Sequence, residues 1–371
     1  VVAYIQHVGR IRFGCGALAE LASELQLLSI SRPLLMLDDG VCKAGLKVKV
    51  FESLPLGEQT PTFSDCPSHP SEDAVLSALR VYQDENCDGL IALGGGAVID
   101  LAKGVALMAT HEGKLADYAV GSARGAQIGP FVAPLLCIPT TAGTGSEVGR
   151  GAGIAIGSGG EKAIFMSVNL VPKVALYDPD LTLTLPARLT AATGIDALGH
   201  AIEGYLSPAV NPPVDAIALD AIERLCRNLG TAVANPSDRE ARSQVLMGAM
   251  EGGMCMWKGL GWAHALSIPL DTFNLHHGTL IGLLLPETLK WARTVVPEKF
   301  ERLDRVLGGR CEDIVSALVS EIGLPRTLSS LGVPFDALPE VAEAATKSVF
   351  NRTAPLPAEA PYFLDLLHKV Y

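Results

Sequence analysis

GLIALGGGAVIDLAKGVALMA, residues 89–109, decides the fold. An uncharged apolar run enters three consecutive glycines, Gly94, Gly95 and Gly96, and the following residues, from Ala97 on, carry apolar side chains at helical spacing. A buried strand passing through a glycine turn into a helix is the repeating unit of a parallel sheet covered by helices. Glycines also let the backbone approach an anion closely, with the free N–H groups of the first helical turn pointing at it. A tight strand-to-helix turn without a ligand uses the same residues, so the triple glycine alone leaves both readings open. The pattern recurs in PLLCIPTTAGTGSE, residues 134–147, where an apolar run enters a loop offering the hydroxyls of Thr140, Thr141 and Thr144. Ligands of open α/β sheets bind at such carboxyl ends of strands. Neither segment is a GxGxxG dinucleotide fingerprint.

Around this centre, PLLMLDD (33–39) reads as a strand ending in acids, and KVKVFES (47–53) alternates with period two, predicting a second strand. Residues 71–85 predict a helix, and the N-terminal VVAYIQHVGRIRFGCG has strand-like alternation. Asp38, at the end of its strand, is placed to accept a hydrogen bond from an adenosine ribose hydroxyl. A carboxylate there repels a 2′-phosphate and so favours NAD over NADP; a helix cap is the competing role, and Asp39 the rival residue. Beyond YDPDLTLTLP (177–186) the character changes to helical spacing throughout. The expected architecture is therefore an α/β dinucleotide-binding domain over residues 1–180 and an all-helical domain over residues 181–371.

Composition limits the partners. The 371 residues carry 29 Lys plus Arg against 40 Asp plus Glu, a net charge of −11, which argues against a nucleic-acid backbone as ligand. Half the chain is hydrophobic (49%) and only 19% charged, so it buries a core rather than staying disordered. No apolar run reaches the roughly 18–20 residues that span a bilayer. The eight cysteines are scattered without CxxC spacing and read as reduced core thiols, which points to the cytoplasm.

The helical half holds a second constellation. In GIDALGHAIEGY, Asp196 and His200 stand four apart and project from one helical face. His264 sits on a second helix, and His277 in a loop before another apolar run. One carboxylate and three imidazoles suit Zn(II), Fe(II) or a similar ion. Each pair alone is a weak signal, since a histidine in an apolar helix is often a satisfied core residue. Asp196 in so apolar a segment is costly without a partner.

GGGAVIDLAK, PTTAGTGSEV, DPDLTLTLP, TAATGIDALGHAIEGY and HHGTLIGLLLP together resemble the iron-containing (group III) alcohol dehydrogenase family, in order and over essentially the whole chain. The resemblance implies an NAD(P)-linked interconversion of a small-molecule alcohol and an aldehyde or ketone in a cleft between the two domains. It implies a dehydroquinate synthase-like domain arrangement, and a homodimer or higher homo-oligomer. Its metal ligands fall on Asp196, His200, His264 and His277. Gly94, Gly95, Gly96, Ala97 and Asp100 fall at the cofactor's phosphate site, Thr140, Thr141 and Thr144 along the cofactor, and Lys162 near the cofactor and cleft.

Three departures from the family pattern bear on substrate and proton delivery. The further histidine four residues after the third ligand is Ile268 here; His276, beside His277, is the substitute candidate for carrying a proton. The serine after GGG is Ala97. SEVT is replaced by SEVGRG, which brings Arg150 and Gly151 near the substrate region, where an arginine can pair with a carboxylate. The stretch DTFNLHH also resembles the maleylacetate reductase branch, which reduces an unsaturated oxo-acid. That reading ranks second. A lyase of the dehydroquinate synthase type and a degenerate binding protein rank below it.

Overall fold

The computed structural model describes residues 9–157 and 160–371; residues 1–8, half of the alternating N-terminal stretch, lie outside the described residues. Spatial proximity divides the chain into two compact units. Residues 9–141 with Ser146–Thr184 form one, and Ala142–Gly145 with Leu185–Tyr371 form the other.

The first unit holds β1 (Arg10–Phe13), β2 (Pro33–Met36), β3 (Thr62–Phe63), β4 (Gly89–Gly94), β5 (Leu135–Pro139), β6 (Gly151–Ile156), β7 (Glu161–Met166) and β8 (Val174–Tyr177). Its helices are α1 (Leu21–Leu27), α2 (Asp39–Lys43), α3 (Leu46–Glu52), α4 (Glu72–Asp84) and α5 (Gly96–Met108). Six strands make one sheet in the order β1-β8-β5-β4-β2-β3, parallel at every pairing. Both faces of its centre are covered. Leu90 and Ala92 of β4 belong to the core that includes Val75, Ala78, Leu101 and Val105 of α4 and α5. Ile91 and Leu93 face the opposite core, with Leu21, Leu25, Leu46 and Val50 of α1 and α3. Burial on two faces is why the strand reads as an unbroken apolar run instead of an alternating one.

In this unit two features depart from the sequence reading. KVKVFES is not a strand: residues 46–52 form α3. Leu46 and Val50, one helical turn apart, are buried while Val48 is 59% exposed, so the apolar pattern that matters has period four. Five alternating residues satisfy either template until burial decides between them. The antiparallel pair β6–β7, with Gly151 opposite Met166, was not anticipated from sequence.

The second unit is helical: α6 (Ala187–Leu206), α7 (Pro212–Ala234), α8 (Arg239–Cys255), α9 (Trp262–Leu270), α10 (His277–Val295), α11 (Pro297–Leu307), α12 (Cys311–Glu321), α13 (Leu338–Lys347), α14 (Val349–Thr353) and α15 (Ala360–Lys369). Helix α6 is buried along almost its full length, including the face that carries Asp196, His200 and Glu203. Glycines let its neighbours come close: a Cβ at Gly278 of α10 would stand 1.9 Å from the Ala192 carbonyl oxygen, and one at Gly252 of α8 2.7 Å from that of Ala197. His277 is thus not a loop residue but the first residue of α10. Among the described residues there is no disulfide, and no helix is long and apolar enough to cross a membrane.

Candidate active site

Asp196 and His200 lie one turn apart on α6, and α9 and α10 bring His264 and His277 to the same point. The Nε2 atoms of His200, His264 and His277 stand 3.7, 3.6 and 3.6 Å from a single oxygen, Oδ1 of Asp196. These separations exceed a hydrogen bond. Oδ1 of Asp196 and Nε2 of His264 are buried with no hydrogen-bond partner. Buried polar atoms are rarely left so. One donor atom from each of Asp196, His200 and His264 fits within 4.8 Å of the others, the spacing of atoms around a common ion. The donor set, one carboxylate and three imidazoles, is that of a Zn(II) or Fe(II) site, so the residues present fit the metal the sequence implied.

The electrostatics agree. Burial pushes His200 down to about 4, leaving its imidazole neutral with a lone pair to offer. Burial would raise the Asp196 carboxyl, but His200, then His264 and His277, outweigh it and hold the acid well below the usual carboxylate range. Burial also disfavours charge on His264, yet Glu203 and Asp196 draw its pKa up to about 9. A cation would compete with that proton for the lone pair of Nε2.

Glu203 escaped the sequence reading. It is buried on α6, and its carboxylate accepts from the backbone N–H groups of Gly261 (2.9 Å) and Ala263 (2.7 Å) and pairs with Nδ1 of His264 at 2.5 Å. The available signal was its place seven residues after Asp196 and three after His200, on the same helical face. Ile268 is half-buried on α9, so no second imidazole stands one turn beyond His264. His276 is exposed at the N-cap of α10, and its carbonyl accepts from the N–H groups of Thr279 and Leu280.

In the first unit, the β4–β5 register sets Gly94 opposite Pro139 and lets the Gly94 carbonyl accept from the Thr140 N–H at 3.1 Å. Gly95, extended, precedes the first residue of α5, Gly96. A Cβ at Gly95 would come 3.1 Å from Oγ1 of Thr141. Gly94–Ala97, Thr140 and Thr141 thus gather at one strand-to-helix turn, whereas Thr144 groups with the helical unit.

Asp100 has both oxygens engaged, Oδ1 by the Ser146 hydroxyl (2.5 Å) and Oδ2 by the Gly153 N–H (2.9 Å). Lys103, buried on α5, donates to the carbonyls of Ser146 (2.7 Å), Gly149 (2.9 Å) and Gly151 (2.6 Å). Burial lowers its pKa. This anchor was also missed, although a lysine among the buried apolar residues of α5 is the signal that finds it. Arg150 lies between two of the tethered carbonyls, and Gly151 opens β6. Lys162 is exposed on β7, and Asp38 caps α2 by accepting from the Val41 N–H at 2.8 Å through Oδ1.

A strand-and-glycine turn in one unit and a carboxylate–imidazole cluster in the other define a two-part oxidoreductase. Residues 9–179 match the model of the iron-containing alcohol dehydrogenases, and residues 190–371 that of the C-terminal part of the Fe-containing alcohol dehydrogenase family. The chain belongs to the iron-containing alcohol dehydrogenase family and is an oxidoreductase acting on CH–OH groups. It is similar to 4-hydroxybutyrate dehydrogenase of Cupriavidus necator, at 41% identity over 99% of this chain and 100% of that protein. Among solved structures it resembles 1,3-propanediol oxidoreductase (TM-score 0.94, 30% identity, 100% of both chains). It also resembles maleylacetate reductase of Agrobacterium tumefaciens (TM-score 0.85, 26% identity, 100% and 98%).

Proposed function

We propose that the chain is a metal-dependent, NAD-linked dehydrogenase that interconverts a short ω-hydroxy carboxylic acid and the corresponding aldehyde. The observation that carries the metal chemistry is the gathering of three Nε2 atoms within 3.6–3.7 Å of one carboxylate oxygen. Fe(II) or Zn(II) held by Asp196, His200, His264 and His277 would supply Lewis-acid polarisation of the substrate oxygen, and NAD the hydride-accepting ring. In this reading Gly94, Gly95 and Gly96 admit the pyrophosphate, and Ala97 offers an N–H of the first helical turn. Thr140, Thr141, Thr144 and Lys162 line the cofactor, and Asp38 faces the ribose with the oxygen that does not cap α2. Asp100 serves the cofactor indirectly, by fixing the loop at Ser146 and Gly153. His276 carries the proton to and from the substrate oxygen in place of the histidine replaced by Ile268.

The substrate class is supported by the 41% identity to a 4-hydroxybutyrate dehydrogenase, and by Arg150 as charge partner for a carboxylate, with Gly151 leaving room beside it. The test follows NADH oxidation by the zinc- or iron-loaded protein with 4-oxobutanoate, butanal and maleylacetate. Catalytic efficiency should be highest with 4-oxobutanoate. Removing a charge-assisted contact costs about 1.5–3 kcal/mol, so Arg150→Ala should raise KM for that substrate by roughly 10–100-fold and leave butanal unaffected. Faster turnover of maleylacetate would replace this reading with the reductase one, and absence of net NADH consumption would exclude both.

A further inference from the structure

The three imidazoles of the cluster are not equally supported. Nδ1 of His200 and of His277 have no hydrogen-bond partner, and the nearest carboxylate to Nδ1 of His277, Asp271, is 3.7 Å away. Nδ1 of His264 alone meets a carboxylate oxygen at bonding distance, Oε2 of Glu203 at 2.5 Å. That carboxylate is itself fixed. Oε2 also accepts from the Gly261 N–H and Oε1 from the Ala263 N–H, both at the amino end of α9, the helix that carries His264. A Cβ at Gly261 would stand 2.9 Å from Oε1, so the chain makes room for the carboxylate there.

From this geometry we infer that Glu203 is a positioning residue for the metal: it holds His264 as the Nδ1–H tautomer and turns Nε2 toward Asp196. An imidazole with Nδ1–H committed to a carboxylate presents its lone pair at Nε2, and the hydrogen bond makes that nitrogen a stronger donor. Because Glu203 shares α6 with Asp196 and His200, one helix fixes two ligands directly and the third through a hydrogen bond. The inference rests on the metal reading proposed above and concerns how tightly the ion is held.

The test measures zinc affinity of the full-length protein by competition with a chromophoric chelator, alongside the melting temperature of the metal-free form. Wild-type protein should bind one zinc per chain; failure to do so would refute the metal reading itself. Glu203→Gln keeps the shape but removes the charge. It should weaken zinc by about 10–100-fold, the usual effect of losing such an outer partner. Unchanged affinity overturns the inference, as does a lower melting temperature of the metal-free form with zinc affinity intact, the signature of a helix cap alone. If Glu203→Gln does not fold, Glu203→Asp carries the same test. It retains the charge one methylene further back, and an affinity equal to wild type would overturn the role.

Discussion

On the proposed function, what the carboxyl end of β4 offers a ligand belongs to the backbone: the N–H groups at the start of α5, reached through the turn of Gly94, Gly95 and Gly96. On α6, α9 and α10 they belong to side chains, each of one chemical type and aimed at one point. The contrast sets what each region tolerates. A backbone cradle depends on the absence of side chains and on the position of a strand end, so the substitution of serine by Ala97 subtracts one hydroxyl and leaves the N–H groups. A side-chain cluster depends on every donor atom and on the distance between helices, which Gly278 sets between α10 and α6.

The largest effect expected on this comparison comes from the cluster. His264→Ala removes one donor and leaves the charge of Glu203 buried without its imidazole partner. We expect metal retention and NADH-linked activity to be abolished while the far-ultraviolet circular dichroism of a folded helical protein persists. Metal content by elemental analysis checks it, and a variant that still holds one ion per chain would show that the cluster is no more demanding than the cradle. Gly278→Ala tests the helix spacing instead of the donors. Its methyl group would meet the Ala192 carbonyl oxygen at 1.9 Å, so α10 must shift with His277 at its first turn. Overpacking of this kind costs about 1–3 kcal/mol. A lower urea midpoint together with weaker zinc binding is expected, whereas a stability loss with unchanged zinc binding would detach His277 from the site.

Which parts were legible in the sequence follows from how local their physics is. The strand and helix of residues 89–109 announce themselves because burial on both faces removes the polar residues that alternation would need. Asp196 and His200 are legible because a helix repeats every 3.6 residues. His264 and His277 carry no spacing relative to that pair; their apolar, glycine-flanked setting made them candidates, and resemblance to the family gave them their role as ligands. Glu203 stood in plain view in GHAIEGY, but its partners lie about sixty residues away, and nothing in the motif says that α9 will start against it. Lys103 was hidden for the same reason, its three carbonyls lying more than forty residues downstream. KVKVFES misled because period two and period four coincide over so short a stretch.

Lys103 marks the limit of the backbone-built region's tolerance. Its ammonium collects three carbonyl oxygens around Arg150, and Met would fill the same volume without donating. Each buried acceptor left unpaired costs about 1–3 kcal/mol. Lys103→Met should therefore lower the urea midpoint of the protein while leaving zinc affinity intact. A midpoint equal to wild type would mean that the loop finds other donors and that the lysine is dispensable.

The smallest effect belongs to the cradle itself. Ala97→Ser restores a hydroxyl one residue into α5, where the backbone N–H groups are already available to a phosphate. A neutral hydrogen bond is worth about 0.5–1.5 kcal/mol net, so NADH affinity should tighten by no more than about tenfold. Zinc affinity should not change at all, because the added group lies in the other unit and is no donor of the cluster. Fluorescence titration with NADH measures the first quantity and chelator competition the second. A much larger gain would mean that the N–H groups of α5 do not carry the pyrophosphate and that the missing hydroxyl does. The cradle would then depend on individual side chains as strictly as the histidine cluster, and the contrast between the two regions would fail at its more tolerant end.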